Sequence, residues 1–230
     1  MRAISTYTAR ELRKFTSVPI EVIPYTAELA APATLGDAAT NREPSILFVG
    51  RLIERKGVSH LIRALGTVRE RTPARLVVIG DGPERPRLER LAQDLGLRDQ
   101  VEFRGRVGDD ELRRAYASAA VFVLPSVLDA RQDTEGLGVV LLEAMNYSVP
   151  VVASEIGGIT DIVEHERTGL LVAPGDEGAL AGALTRVLND RGLSERLGAA
   201  GLRALSESFS WDGIVDRWEA VYRRAAGTAH

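Results

Sequence analysis

The sequence has no cysteine, which removes disulfide frameworks, thiolate zinc sites and cysteine nucleophiles together. Absence of cysteine fits a reducing compartment, and the expected location is cytoplasmic. Histidine is scarce: His60, His165 and His230 are far apart, and no segment has the spacing of a metal-ligand cluster. A basic excess is also missing. Lys and Arg number 29 against 32 Asp and Glu, a formal net charge of −3, which argues against a protein that coats nucleic acid. Any affinity for phosphate must come from a few placed cations. No window approaches the ~18 apolar residues of a membrane span. Met1 to Phe15 has no apolar stretch and does not read as a signal peptide. Repeats of solenoid length and low-complexity tracts are absent too.

What is present is an ordinary globular composition, 230 residues with 45% hydrophobic and 27% charged, enough for a core without staples. From residue 45 onward, short apolar runs alternate with helical spacings. Ser45–Gly50, Arg75–Gly80, Gln100–Arg104, Ala120–Pro125, Pro150–Ala153 and Gly169–Val172 read as strands. Val58–Arg71, Pro83–Leu95, Asp109–Ser118, Gly138–Tyr147, Thr160–Glu164 and Asp176–Leu188 read as the intervening helices. Gly96 is expected as a C-cap, and Asp109 or Asp110 as an N-cap. Strands apolar on both faces belong in a covered parallel sheet. The fold class is therefore α/β, a doubly wound, parallel, Rossmann-like six-stranded sheet with extra C-terminal helices, whose ligand edge is the carboxyl end of the strands. Thr6–Phe15 reads as a helix, Glu21–Pro24 as a strand, and Leu193–Leu205 and Trp211–Ala226 as helices outside the sheet order.

Four segments fall at that ligand edge. Gly50-Arg51-Leu52-Ile53-Glu54-Arg55-Lys56-Gly57 links the first strand to the first helix. Arg51 and Lys56 are either solvated surface charges or, with the helix amides, a diphosphate site. Gly80-Asp81-Gly82-Pro83 is a turn that starts a helix, or a turn whose bare backbone also lets a base or ribose lie close. In Glu135-Gly136-Leu137-Gly138-Val139-Val140-Leu141-Leu142-Glu143-Ala144-Met145, Glu135 precedes the helix and Glu143 lies within an apolar run. A carboxylate there either points to solvent or accepts specific hydrogen bonds, because burying it unpaired costs several kcal/mol. Sugar hydroxyls suit its two acceptor oxygens. The amides of Gly136, Leu137, Gly138 and Val139 face the same cleft in this reading. Gly157-Gly158 is more often only a tight connection.

These segments, in this order, resemble the family-four retaining glycosyltransferases of the two-domain GT-B type, over residues 45–226. Gly50-Arg51-Leu52 with Lys56-Gly57 is similar to that family's diphosphate loop, and Glu135 with Glu143 to its paired glutamates. Gly80-Asp81-Gly82-Pro83, Val101-Glu102-Phe103, Leu124-Pro125-Ser126, Gly157-Gly158 and Thr168–Pro174 fit the segments between and after. The resemblance implies retaining transfer of a hexosyl group from a nucleotide-diphosphate sugar such as a UDP or GDP sugar. The acceptor, a glycan, lipid or small molecule, is unspecified. Arg51 and Lys56 would neutralise the diphosphate, Glu135 would touch the transferred sugar, and Glu143 would hold the ribose. The amides of Leu137 and Gly138 would contact sugar or phosphate, with Gly50, Gly80, Gly82, Gly136 and Val139 in the donor-binding set. The base would lie at the turn from Arg104 to Val107. No cofactor and no metal is implied, no nucleic acid partner, and any membrane contact would be peripheral.

The same resemblance organises the chain. Residues 1–26 would be a remnant of an N-terminal acceptor domain, 27–44 a linker, 45–206 the donor domain, and 207–230 a helix crossing back to the first domain. The family's glycine-rich loop and sugar-facing histidine are not found, and Pro24-Tyr25-Thr26 stands where the family has Pro-Asn-Gly. The expectation is a donor-binding half that binds donor weakly and transfers poorly. A sugar-nucleotide 2-epimerase on the same fold and a non-catalytic nucleotide-sugar-binding module are the alternatives. A dinucleotide-binding protein is disfavoured by the lack of a Gly-x-Gly-x-x-Gly fingerprint after the first strand.

Overall fold

A computed structural model describes residues 1–27 and 44–227. The strands are β1 (Arg2–Ala3), β2 (Glu21–Val22), β3 (Ser45–Val49), β4 (Arg75–Ile79), β5 (Val101–Gly105), β6 (Val121–Leu124), β7 (Val151–Ser154) and β8 (Leu170–Val172). The α-helices are α1 (Thr6–Leu12), α2 (Val58–Arg69), α3 (Arg85–Asp94), α4 (Asp109–Ser118), α5 (Val139–Asn146), α6 (Glu177–Asn189), α7 (Arg191–Ser208) and α8 (Trp211–Gly227). The six strands β3 to β8 form one all-parallel sheet in the order β5-β4-β3-β6-β7-β8. That is the doubly wound order in which the winding reverses between the first and fourth strands.

The apolar runs dictate this arrangement. Every residue of β3, β6 and β7 is buried, so both sheet faces must be covered. Right-handed crossovers then put α2 and α3 on one face and α4 and α5 on the other. In α2, Val58, Leu61, Ile62, Leu65 and Val68 are buried, an i, i+3, i+4, i+7 stripe turned onto the sheet. α6 packs against α2, and α7 against α5 and α6, which is how helices without a following strand are accommodated.

Several local expectations shift. The N-cap of α4 is Gly108, while Asp109 and Asp110 sit inside the first turn, where their charge complements the helix dipole. The helix expected from Pro83 begins at Arg85, with Pro86 at its start, because residues 81–84 are drawn into contact with the preceding loop. The helix expected at Thr160–Glu164 is a 3-10 turn over Gly157–Asp161. The C-cap of α3 is Leu95, and Gly96, expected in that place, is the left-handed residue that follows it. The strand at Glu21 has a partner that the sequence did not signal: β1 pairs with β2 in parallel. The expected linker lies outside the described residues for positions 28–43.

Residues 1–27 are not detached from the sheet domain. α1 packs on the 157–161 turn. α8 lies along the N-terminal segment: Arg224 pairs with Glu21 at 2.8 Å, and the Arg2 guanidinium stands 4.6 Å from the Trp218 ring and 4.8 Å from the Tyr25 ring. Among the described residues no helix is long and apolar enough to cross a membrane.

Candidate donor-binding site

The reversal in strand order opens a crevice between the ends of β3 and β6, the position where doubly wound sheets bind ligands. The loop after β3 supplies residues 50–57 and the loop after β6 supplies residues 125–138. Gly57 joins them closely. It takes the left-handed conformation, φ 66°, between a 3-10 turn (Glu54–Lys56) and α2, and a Cβ there would lie 1.8 Å from the Pro125 carbonyl oxygen. The Val127 amide donates to the Arg55 carbonyl at 2.9 Å.

Across this crevice Lys56 and Glu135 form a buried ion pair, each side chain 11% exposed. Arg55 completes the cluster: its guanidinium donates to the Thr134 carbonyl at 3.1 Å and stands 4.0 Å from Glu135 Oε2 and 3.8 Å from Asp133. Two cations thus converge on Glu135, and Asp133 is a second carboxylate in the same cluster. Arg51, on the same loop, is exposed, and among the described residues its side chain has no partner.

Beside Glu135 the chain turns into α5 through Gly138, which is left-handed at φ 92° and ψ 48°. Among the described residues the amides of Gly136, Leu137, Gly138 and Val139 donate to no protein acceptor. Successive free amides around a left-handed residue at a helix start form a concave anion site. The buried hydroxyls of Ser126 and Thr134 on the same loop also have no hydrogen-bond partner. Such groups call for an unseen water or ligand.

Glu143 lies one turn into α5 and is half-buried. It resolves its apolar surroundings by accepting, at 2.7 Å, from the hydroxyl of Tyr116 on α4. Tyr116 is fully buried and stacks on Tyr147, centroids 5.6 Å apart. Burial, first, and then the charge of Glu143 hold this phenol protonated well above the usual tyrosine range.

Other expected residues are placed differently. Gly80 and Gly82 are explained by loop contact: a Cβ on Gly80 would lie 1.9 Å from the Gly50 oxygen, and one on Gly82 2.3 Å from the Leu52 oxygen. The Arg104 side chain turns back along β5 onto Glu102, with bonds of 2.9 and 3.0 Å. Its hydrogen bond to that carboxylate raises the guanidinium pKa further and lowers that of Glu102. The guanidinium therefore does not join Lys56 and Glu135, and what reaches the ligand edge is the backbone turn from Gly105 to the half-buried Val107. Arg55 and Tyr116 were not singled out from the sequence. Arg55 had a local signal, as the neighbour of Lys56 in a cation-rich loop. Tyr116 had none. Among the described residues no group of three or more His, Asp or Glu is arranged to hold a metal ion. A cavity of 690 Å³ opens on the α2 and α3 side of the first loop, lined by residues including Ile53, His60, Arg87, Leu128 and Pro174. No predicted donor residue lines it. Its size alone does not outweigh the convergent cations and free amides on the other side.

Comparison with known proteins bears on the family and the fold. Residues 37–203 match the family model described as glycosyl transferases group 1. An uncharacterized glycosyltransferase of Methanocaldococcus jannaschii is 42% identical over 183 residues, 80% of this chain and 45% of that protein. A GDP-mannose-dependent alpha-(1-6)-phosphatidylinositol monomannoside mannosyltransferase of Mycobacterium tuberculosis is 39% identical over 191 residues, 82% of this chain and 48% of the relative. Among solved structures, sucrose-phosphate synthase of Thermosynechococcus elongatus superposes with a TM-score of 0.85 at 32% identity, covering 99% of this chain and 58% of that one. The chain spans about half the length of the curated relatives it matches.

Proposed function

The chain belongs to the glycosyl transferases group 1 family, and from that membership we propose that it is the donor-binding half of a retaining hexosyltransferase using a nucleotide-diphosphate sugar. The observation that carries this reading is the meeting of Lys56, Arg55 and Glu135 beside four unpaired amides at the sheet's reversal point. Such a cradle suits an anion whose charge grows during reaction. As the bond between the anomeric carbon and the phosphate oxygen breaks, its electron pair moves onto the diphosphate. Lys56, Arg51 and the amides of residues 136–139 stabilise that charge. The acceptor hydroxyl attacks from the same side and passes its proton to the departing phosphate, so configuration is retained. Glu135 positions a sugar hydroxyl rather than acting as nucleophile. Glu143, held by Tyr116, takes the ribose hydroxyls, and the base lies at the 105–107 turn. The acceptor is a glycan, lipid or small molecule, and the site is expected to work without a metal.

Thermal unfolding with GDP, UDP and ADP tests the reading. GDP leads the panel because the mycobacterial relative is named as GDP-mannose-dependent. Ligand at about 100 times its Kd adds about 2.7 kcal/mol. The shift is expected to vanish when Arg51→Ala and Lys56→Ala are combined in a protein that still folds. No shift with any of the three at millimolar concentration would overturn the assignment.

A further inference from the structure

Ser5 is fully buried and does two things. Its oxygen caps α1 by accepting from the Thr8 amide at 3.0 Å. Its hydroxyl donates to the Gly136 carbonyl at 2.6 Å, across 131 positions of sequence. The next residue grips a second loop: the Thr6 amide and hydroxyl both bond Asp161, at 2.5 Å each. Asp161 ends the 157–161 turn, whose Gly158 amide donates to the Glu135 carbonyl at 2.9 Å. Both carbonyls that flank Gly136 are therefore held, one by Gly158 and one by Ser5.

A trans peptide is planar, with its carbonyl and its amide pointing in opposite directions. Fixing the Gly136 oxygen toward Ser5 aims the Leu137 amide away from α1. Fixing the Glu135 oxygen toward Gly158 likewise aims the Gly136 amide. Glycines at 136 and 138 leave little steric resistance to rotation of this stretch, so the hydrogen bonds set its orientation. A helix cap needs Ser5 only as an acceptor. The donated bond to Gly136 is additional, and it ends on the anion cradle.

We infer that Ser5 is a positioning residue for the donor diphosphate: its hydroxyl orients the Gly136–Leu137 peptide, so that docking of α1 and anion binding at residues 136–139 are coupled. Residues 1–12 are then a working part of the donor site. The inference rests on the proposed reading of the 136–139 amides as phosphate-binding.

The test compares the whole chain with Ser5→Gly and Ser5→Thr, using whichever of GDP, UDP and ADP gives the largest wild-type shift. Glycine is tolerated at an N-cap, yet it cannot donate to Gly136. Ser5→Gly is expected to raise the Kd for the nucleotide about tenfold, whatever the loss of the buried bond does to its ligand-free Tm. Ser5→Thr, which keeps the hydroxyl, restores binding. A lowered ligand-free Tm with an unchanged Kd makes Ser5 a cap alone and overturns the inference. Should Ser5→Gly fail to fold, Asp161→Asn loosens the Thr6 grip on the same coupling, and an unchanged Kd there overturns it equally. A wild-type chain that binds none of the three nucleotides sinks the donor-site reading first, an outcome distinct from both.

Discussion

The hydroxyl of Tyr116 donates to Oε2 of Glu143 at 2.7 Å, joining α4 to α5 beneath the ligand edge. The contact has a consequence in alkaline solution. Burial, then the adjacent carboxylate, raises the pKa of Tyr116 above its ordinary value of 10.0. The folded chain therefore keeps a proton that the unfolded chain releases. This contribution is complete below about pH 10 and is lost as pH rises, by up to about 1.4 kcal/mol per pH unit while Tyr116 stays protonated. Tyr116→Phe removes it. Urea unfolding at several pH values from about 9 to 11 is expected to show a shallower decline for the variant. At neutral pH the variant should be less stable by about 1.5 kcal/mol, the worth of a hydrogen bond to a charged group. Parallel pH curves would mean that the phenol is not held protonated in solution.

The Lys56–Glu135 pair predicts coupling. Each partner alone would be a charge left in a largely buried place, and breaking such a pair costs about 3 kcal/mol. Lys56→Met should cost less than Glu135→Gln, because Arg55 remains 4.0 Å from Glu135, whereas loss of the carboxylate leaves two cations facing each other. The double variant should be more stable than the sum of the singles implies, by about 1–2 kcal/mol. Denaturant unfolding of the four proteins measures this directly. Strict additivity would show that the pair does not persist in solution.

The parts of this structure legible in the sequence are those with a repeating physical signal. Ile46 to Val49 and Val121 to Leu124 are apolar on both faces, which only a covered parallel strand satisfies. Glu143 was legible because a carboxylate within Val139–Met145 needs a partner. What stayed hidden had no local pattern. β1 is two residues long, too short for any periodicity. Nothing local marks Ser5, since its bond to Gly136 depends on a fold that joins distant segments. The Tyr116 hydroxyl cannot be assigned to Glu143 without knowing that α4 and α5 share a face. The resemblance placed the base at the turn from Arg104 to Val107, but Glu102, two residues earlier on the same strand face, holds the Arg104 guanidinium.

The last prediction separates backbone strain from close packing at the crevice. Gly57 and Gly96 have nearly the same left-handed backbone, φ 66° and 69°. An alanine at either position carries the left-handed penalty of about 1–2 kcal/mol. Their surroundings differ. A Cβ on Gly96 meets nothing within 4 Å, while one on Gly57 falls 1.8 Å from the Pro125 oxygen. Gly57→Ala must therefore also push the first loop away from the end of β6, carrying Lys56 off Glu135. It should cost about 2 kcal/mol more than Gly96→Ala, in the range of core overpacking. It should also abolish nucleotide-induced stabilisation, which Gly96→Ala leaves intact. Equal losses of stability in the two variants would show that the β3 and β6 loops do not meet as closely as the crevice requires.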